Sequence, residues 1–83
     1  MSNDKRVALL AIMVSNTQSI EKLNQILHEY RNYIIGRMGL PYPEKDVCII
    51  SVALDAPQDI ISALSGKVGN LDGVSSKTVY SNF

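Results

Sequence analysis

From Val7 to Val14 every position is apolar, with Lys5 and Arg6 before the run and Ser15-Asn16-Thr17 after it. An apolar run this short, closed by turn residues, reads as a strand covered on both faces, over 6–14. Ser15, with Gln18 three residues later, fits a capping box and opens a helix. Ile20, Leu23, Ile26, Leu27 and Tyr30 then recur at three- and four-residue intervals, while Glu21, Lys22, Gln25, His28 and Glu29 fall on the other side. That spacing predicts one amphipathic helix over 17–30. Tyr33, Ile34 and Ile35 are strand formers leading into Gly36-Arg37-Met38-Gly39, which predicts a short strand over 32–38. Leu40 to Asp46 carries two prolines and three charges and reads as an exposed connection.

Val47 to Leu54 repeats the first pattern and predicts a third strand over 47–54. Asp55 is the expected cap of a second helix over 57–68, with Pro57 in its first turn, Gln58 in the capping-box position, and Ile60, Ile61, Leu64 and Val68 as its apolar stripe. Gly69 is the expected left-handed terminator, and Leu71-Asp72-Gly73 a turn into a last strand over 74–80. Strand-helix-strand occurs twice. This is the split arrangement of a ferredoxin-like βαββαβ sandwich, an α+β fold with a four-stranded antiparallel sheet and two helices on one face. A single domain over 1–83 is expected, with residues 1–5 flexible.

Two helices cover one face of such a sheet, so the other face should turn polar if it meets water. It does not. Val7, Leu9, Ala11 and Met13 alternate with Ala8, Leu10, Ile12 and Val14 in the first strand, and Val47 and Ile49 with Cys48, Ile50, Val52 and Leu54 in the third. A wet apolar patch of this kind marks an interface, so a homo-oligomer, dimer or tetramer, is expected, with Leu10, Ile12, Ile50 and Val52 as candidate interface residues. The alternative is a monomer whose outer face is softened by Ala8, Ala11, Ala53 and Ser51.

Composition narrows the function classes. The 83 residues are 46% hydrophobic and 19% charged, the balance of a packed chain. Eight basic residues offset eight acidic ones, so no positive field favours a nucleic-acid backbone. No apolar stretch approaches the ~20 residues that span a bilayer, and the run after Arg6 lacks a cleavage pattern. No membrane association and a cytoplasmic location are the expectations.

The sequence assembles no catalytic set and no metal site. His28 is the single histidine, on the polar side of the first helix, and a transition-metal ligand needs companions. Cys48, the single cysteine, shares its strand side with Ile50, Val52 and Leu54 and reads as a small core residue. Asp55 and Asp59 suit a helix N-terminus. Acylphosphatase-like enzymes of this topology cradle phosphate in a glycine-rich, arginine-bearing loop after the first strand, where this chain has Ser15-Asn16-Thr17. RNA binders of the fold stack bases on central-strand aromatics, whereas Tyr30, Tyr33, Tyr42, Tyr80 and Phe83 all lie outside the two central strands.

A small anionic effector at a subunit interface is expected where the first strand meets the first helix. Ser15, Asn16 and Thr17 offer hydroxyl, amide and backbone donors there. Across from them Gly36 and Gly39 permit close approach, Arg37 offers a forked donor, and Tyr42 an apolar wall. No cofactor is expected.

The segments Gly36-Arg37-Met38-Gly39-Leu40-Pro41-Tyr42, Val47-Cys48-Ile49-Ile50-Ser51 and Ile61-Ser62-Ala63-Leu64-Ser65-Gly66-Lys67-Val68-Gly69 resemble the iron-only hydrogenase system regulators. These are short bacterial proteins similar to ACT domains and to the C-terminal domain of nickel-responsive repressors. The resemblance runs from Arg6 to Tyr80 and includes Leu71 to Lys77. It implies an ACT-like fold, oligomerisation through the sheet, a non-enzymatic regulatory role and an anaerobic bacterial origin. The nickel-binding relatives use several histidines and a separate DNA-binding segment, so nickel sensing and direct operator binding do not carry over. Two functions remain: a ligand-sensing module, or a protein-interaction module that binds a regulatory partner without a small molecule.

Overall fold

The two most apolar runs become the two central strands. β1, Lys5–Val14, and β3, Val47–Pro57, pair antiparallel from Lys5↔Pro57 to Val14↔Cys48. β2, Ile34–Tyr42, lies outside β3 and β4, Val74–Tyr80, outside β1, giving the sheet order β2-β3-β1-β4, all antiparallel. Two helices join them: α1, Ile20–Glu29, entered through a 3-10 turn at Thr17–Ser19, and α2, Gln58–Gly69. The computed structural model describes residues 4–82. This is the ferredoxin-like βαββαβ architecture.

Both helices bury their apolar stripes on one side of the sheet. Leu23 and Leu27 of α1 and Ile61, Leu64 and Val68 of α2 close over Ala8, Leu10, Ile12 and Val14 of β1 and Ile50, Val52, Leu54 and Ala56 of β3. Burying each large aliphatic side chain contributes about 1.5–3 kcal/mol, so this layer dominates the stability of so short a chain. The expected interface set is corrected here. Leu10, Ile12, Ile50 and Val52 belong to the helix-covered core, and the apolar surface left open is formed by their strand neighbours.

Several local expectations also shift. β3 runs on through Asp55 because Arg6 and Lys5 continue the ladder to Ala56 and Pro57, so Asp55 is a strand residue and α2 starts after an extended Pro57 with no side-chain cap. Gln58 instead accepts from Arg6 Nη1 at 2.6 Å and donates to Tyr80 Oη at 2.6 Å. β2 extends to Tyr42, beyond the predicted end at 38. Pro41 is tolerated because an edge strand leaves one row of backbone donors unpaired in any case. α2 ends at Asn70 with right-handed backbone, and the positive-φ glycine is Gly73, at φ 70°, rather than Gly69. Of the start expected to be flexible, residues 1–3 lie outside the described residues, while Lys5 is paired in β1.

Candidate functional site

The loop after β1 is bound to the turn before β4. Ser15 N and Oγ both donate to Gly73 O, at 2.7 and 3.0 Å, and Ser19 Oγ donates to Asp72 O at 2.6 Å. Asn16, rather than Ser15, is the cap: its Oδ1 accepts from Gln18 N at 3.0 Å while its Nδ2 donates to Asp72 Oδ2 at 2.8 Å. A Cβ on Gly73 would stand 2.6 Å from Asn16 Cβ, so glycine is required there by space as well as by φ. Ser15 and Asn16 therefore join the start of α1 to the end of the α2 connection. Their side-chain bonds run to the turn.

The remaining expected residues divide between two clefts under α1 and the open sheet face. Thr17 and Tyr42 meet at the β1 end of α1, where an apolar cleft of about 250 Å³ also receives Ile20, Pro41, Val47 and Cys48. Cys48 is half-buried and packs against the core beside Ile20. Arg37 instead points to the other end of α1 and donates from Nη2 to Asn24 Oδ1 at 2.9 Å. Gly39 lies on the covered side, where an added Cβ would meet the Ile50 side chain at an ordinary 4.0 Å, and Gly36 pairs with Ala53 on the open side, with open space around it. Of the residues expected at one effector site, Thr17 and Tyr42 line the same cleft, whereas Arg37 lines the other. His28, placed by the sequence on the polar side of the first helix, and Arg31, which the sequence did not single out, line that cleft beside Arg37 at helical spacing from Asn24.

The open face is the largest chemical feature. Among the described residues, eight large hydrophobic side chains are exposed, Val7, Leu9, Met13, Ile35, Met38, Leu40, Tyr42 and Val79, and every one belongs to a strand. Strand register places Leu40, Ile49, Met13 and Ser75 in one row, Met38, Ser51, Ala11 and Lys77 in the next, and Gly36, Ala53, Leu9 and Val79 in the third. Asp55, opposite Val7, and Lys77 are the only charged residues between the rows of Val7 and Met13 that face this way. Among the described residues, no group of three or more His, Cys, Asp or Glu gathers where a metal ion could be held, and no helix is long and apolar enough to cross a membrane.

Residues 6–78 match the TM1266-like family model, described as "Iron-only hydrogenase system regulator, putative". The chain belongs to this family. Protein TM1266 from Thermotoga maritima, whose structure is solved, is 37% identical over 93% of this chain and 98% of its own, with a TM-score of 0.89. Two further structures share the fold alone. A formyltetrahydrofolate deformylase from Pseudomonas putida KT2440 aligns over 93% of this chain and 29% of its own at 14% identity and a TM-score of 0.67. The divalent ion tolerance protein CutA1 from Ehrlichia chaffeensis aligns over 95% and 84% at 14% identity and a TM-score of 0.51. Among curated proteins, none matches the chain.

Proposed function

We propose that this chain is a non-enzymatic regulatory module of the iron-only hydrogenase system that self-associates through the open face of its sheet and responds to a small molecule bound under α1. The observation that carries the reading is that, among the described residues, all eight exposed large hydrophobic side chains lie on strands and none on a helix. Four strands about 4.8 Å apart, each rising about 3.4 Å per residue, make a plate of roughly 450 Å² in outline. Corrugation by side chains brings its accessible area toward the ~800 Å² that each partner gives to a stable interface. A second copy suits it because, between the rows of Val7 and Met13, the face holds one charge of each sign, Asp55 and Lys77, and a two-fold axis can present each to its opposite.

The coupling runs through β2. Its Arg37 and Pro41 turn toward the clefts under α1, and Met38 and Leu40 toward the open face, so a ligand that moves β2 alters the assembly surface. A non-enzymatic role is supported by the separation of the two most reactive side chains, since Cys48 and His28 line different clefts.

Sedimentation at micromolar concentration tests this reading. The expected result is an oligomer for the wild type and a folded monomer for Leu9→Lys or Met13→Lys. A wild-type monomer would overturn it.

A further inference from the structure

Asn24, Leu27, His28 and Arg31 are spaced three, four and seven residues along α1 and its continuation, so they line one side of it. Ile34 and Arg37 of β2 stand opposite, and the six residues enclose an open cleft of about 300 Å³. Two guanidinium groups enter it from different elements. Each is held by a neutral acceptor: Arg37 Nη2 by Asn24 Oδ1 and Arg31 Nη1 by His28 O, both at 2.9 Å. A guanidinium has five donors, so most remain available. No carboxylate lines the cleft. Glu21 and Glu29 border the adjoining groove beyond His28, and the one ion pair among the described residues joins Glu29 to Lys67, at 3.9 Å.

We infer that this cleft binds the phosphate dianion of a small phosphate monoester. Two guanidinium-bearing residues lining one cleft, Arg31 from the turn after α1 and Arg37 from β2, with His28 in the same lining, suit a tetrahedral group with three terminal oxygens better than a carboxylate, which a single fork satisfies. Leu27, fully buried, and the half-buried Ile34 give the cleft an apolar side for the organic remainder. The volume lies at the small end of ligand sites and suits a remainder of a few carbons or one ring within the cleft. The charges outweigh the negative end of α1, whose carbonyl at His28 is already bonded to Arg31. The inference deepens the ligand-responsive part of the proposed function and rests on it only for an effect on assembly.

The test is NMR titration of the labelled full chain with inorganic phosphate, phenyl phosphate and benzoate. The expected result is saturable shifts of the Asn24 side-chain amide and His28 ring with both phosphates, tighter for phenyl phosphate, and none with benzoate. Arg31→Gln and Arg37→Gln should each weaken phenyl phosphate about tenfold, and Arg37→Lys by less, with spectra that remain those of the folded chain. Tighter binding of inorganic phosphate than of the ester would locate the preference in the free ion and overturn the monoester assignment. Absence of saturable shifts, or affinity unchanged in both glutamine variants, would overturn the site itself. Sedimentation with and without phenyl phosphate separates the two readings, because binding that leaves the subunit equilibrium unchanged supports the site and removes ligand control of assembly.

Discussion

Leu9 and Leu10 are chemically identical neighbours in β1, and the helices divide them: Leu10 is fully buried while Leu9 is 43% exposed. The same division runs along Ala8 to Val14 and across to β3, where Ile50, Val52 and Leu54 are covered and Ile49, Ser51 and Ala53 are only half-buried by their strand neighbours. One face is finished as a core by its own chain. The other has the composition of a core and lacks its cover. Burial in this fold is therefore set by which side the two crossovers take, and the uncovered side is left to act outward.

Substitution to alanine should separate the two leucines most strongly. Leu10→Ala should lower unfolding free energy by about 3–5 kcal/mol, from lost transfer energy and a cavity the packed helices cannot fill. Leu9→Ala should change the stability of the monomer by less than about 0.5 kcal/mol. Urea unfolding at a concentration low enough to keep the chain dissociated measures both. Equal losses would mean that the faces differ less than their exposure indicates.

The open face gives the next effect, on association. Leu9→Lys places an ammonium in the row of Gly36, Ala53 and Val79 and should weaken self-association by about 30-fold or more, the effect of losing a central anchor. Its unfolding midpoint as a monomer should stay near that of the wild type. The same change at Leu10 should unfold the chain.

The sequence made all four strands and both helices readable because their apolar patterns are long and cleanly bounded. It could not tell the two faces apart, since alternation distinguishes sides only when one of them is polar. The marks were present but displaced. Asp55 lies in β3 on the same side as Ile49, and Lys77 lies opposite Ala11, so each charge points to the wetter face. Reading Asp55 as a helix cap removes it from the strand and with it that clue. The site was legible to the extent that it followed local spacing. Asn24, His28 and Arg31 share a helix side by simple periodicity, whereas the pairing of Ser15 and Asn16 with Asp72 and Gly73 spans more than fifty residues and has no local signature.

That long-range link ties the loop entering α1 to the turn leaving α2, so weakening it should loosen the helix cover of one face. Gly73→Ala should cost about 2–3 kcal/mol, combining a left-handed φ with a methyl group 2.6 Å from Asn16 Cβ. Gly69→Ala serves as the control, because its new methyl would meet only the Ser76 hydroxyl, at 3.3 Å, in right-handed helix. Thermal unfolding of the two variants should differ by at least several degrees. Similar melting points would mean that the turn adapts and that the helices are held by packing alone.

The smallest effect should come from Asn16, and salt resolves its two roles. Asn16→Ala removes both the cap on Gln18 N and the bond to Asp72 and should cost about 1 kcal/mol at any ionic strength, the usual loss for a helix-entry cap. Asn16→Asp keeps an oxygen for the Gln18 N–H and favours the positive end of the helix, but it sets a second carboxylate against Asp72, whose Oδ2 now accepts from Asn16 Nδ2 at 2.8 Å. That repulsion lies at an exposed site and is screened over about 3 Å in ~1 M salt. Denaturant unfolding should therefore place Asn16→Asp below the wild type in low salt and bring it back toward the wild type as sodium chloride is raised, while Asn16→Ala stays where it is. If both variants lose the same stability and neither responds to salt, the loss they share is the bond to Asp72, the cap on Gln18 N contributes nothing, and the contribution of Asn16 is the long-range bond alone, which ties this loop to the turn before β4.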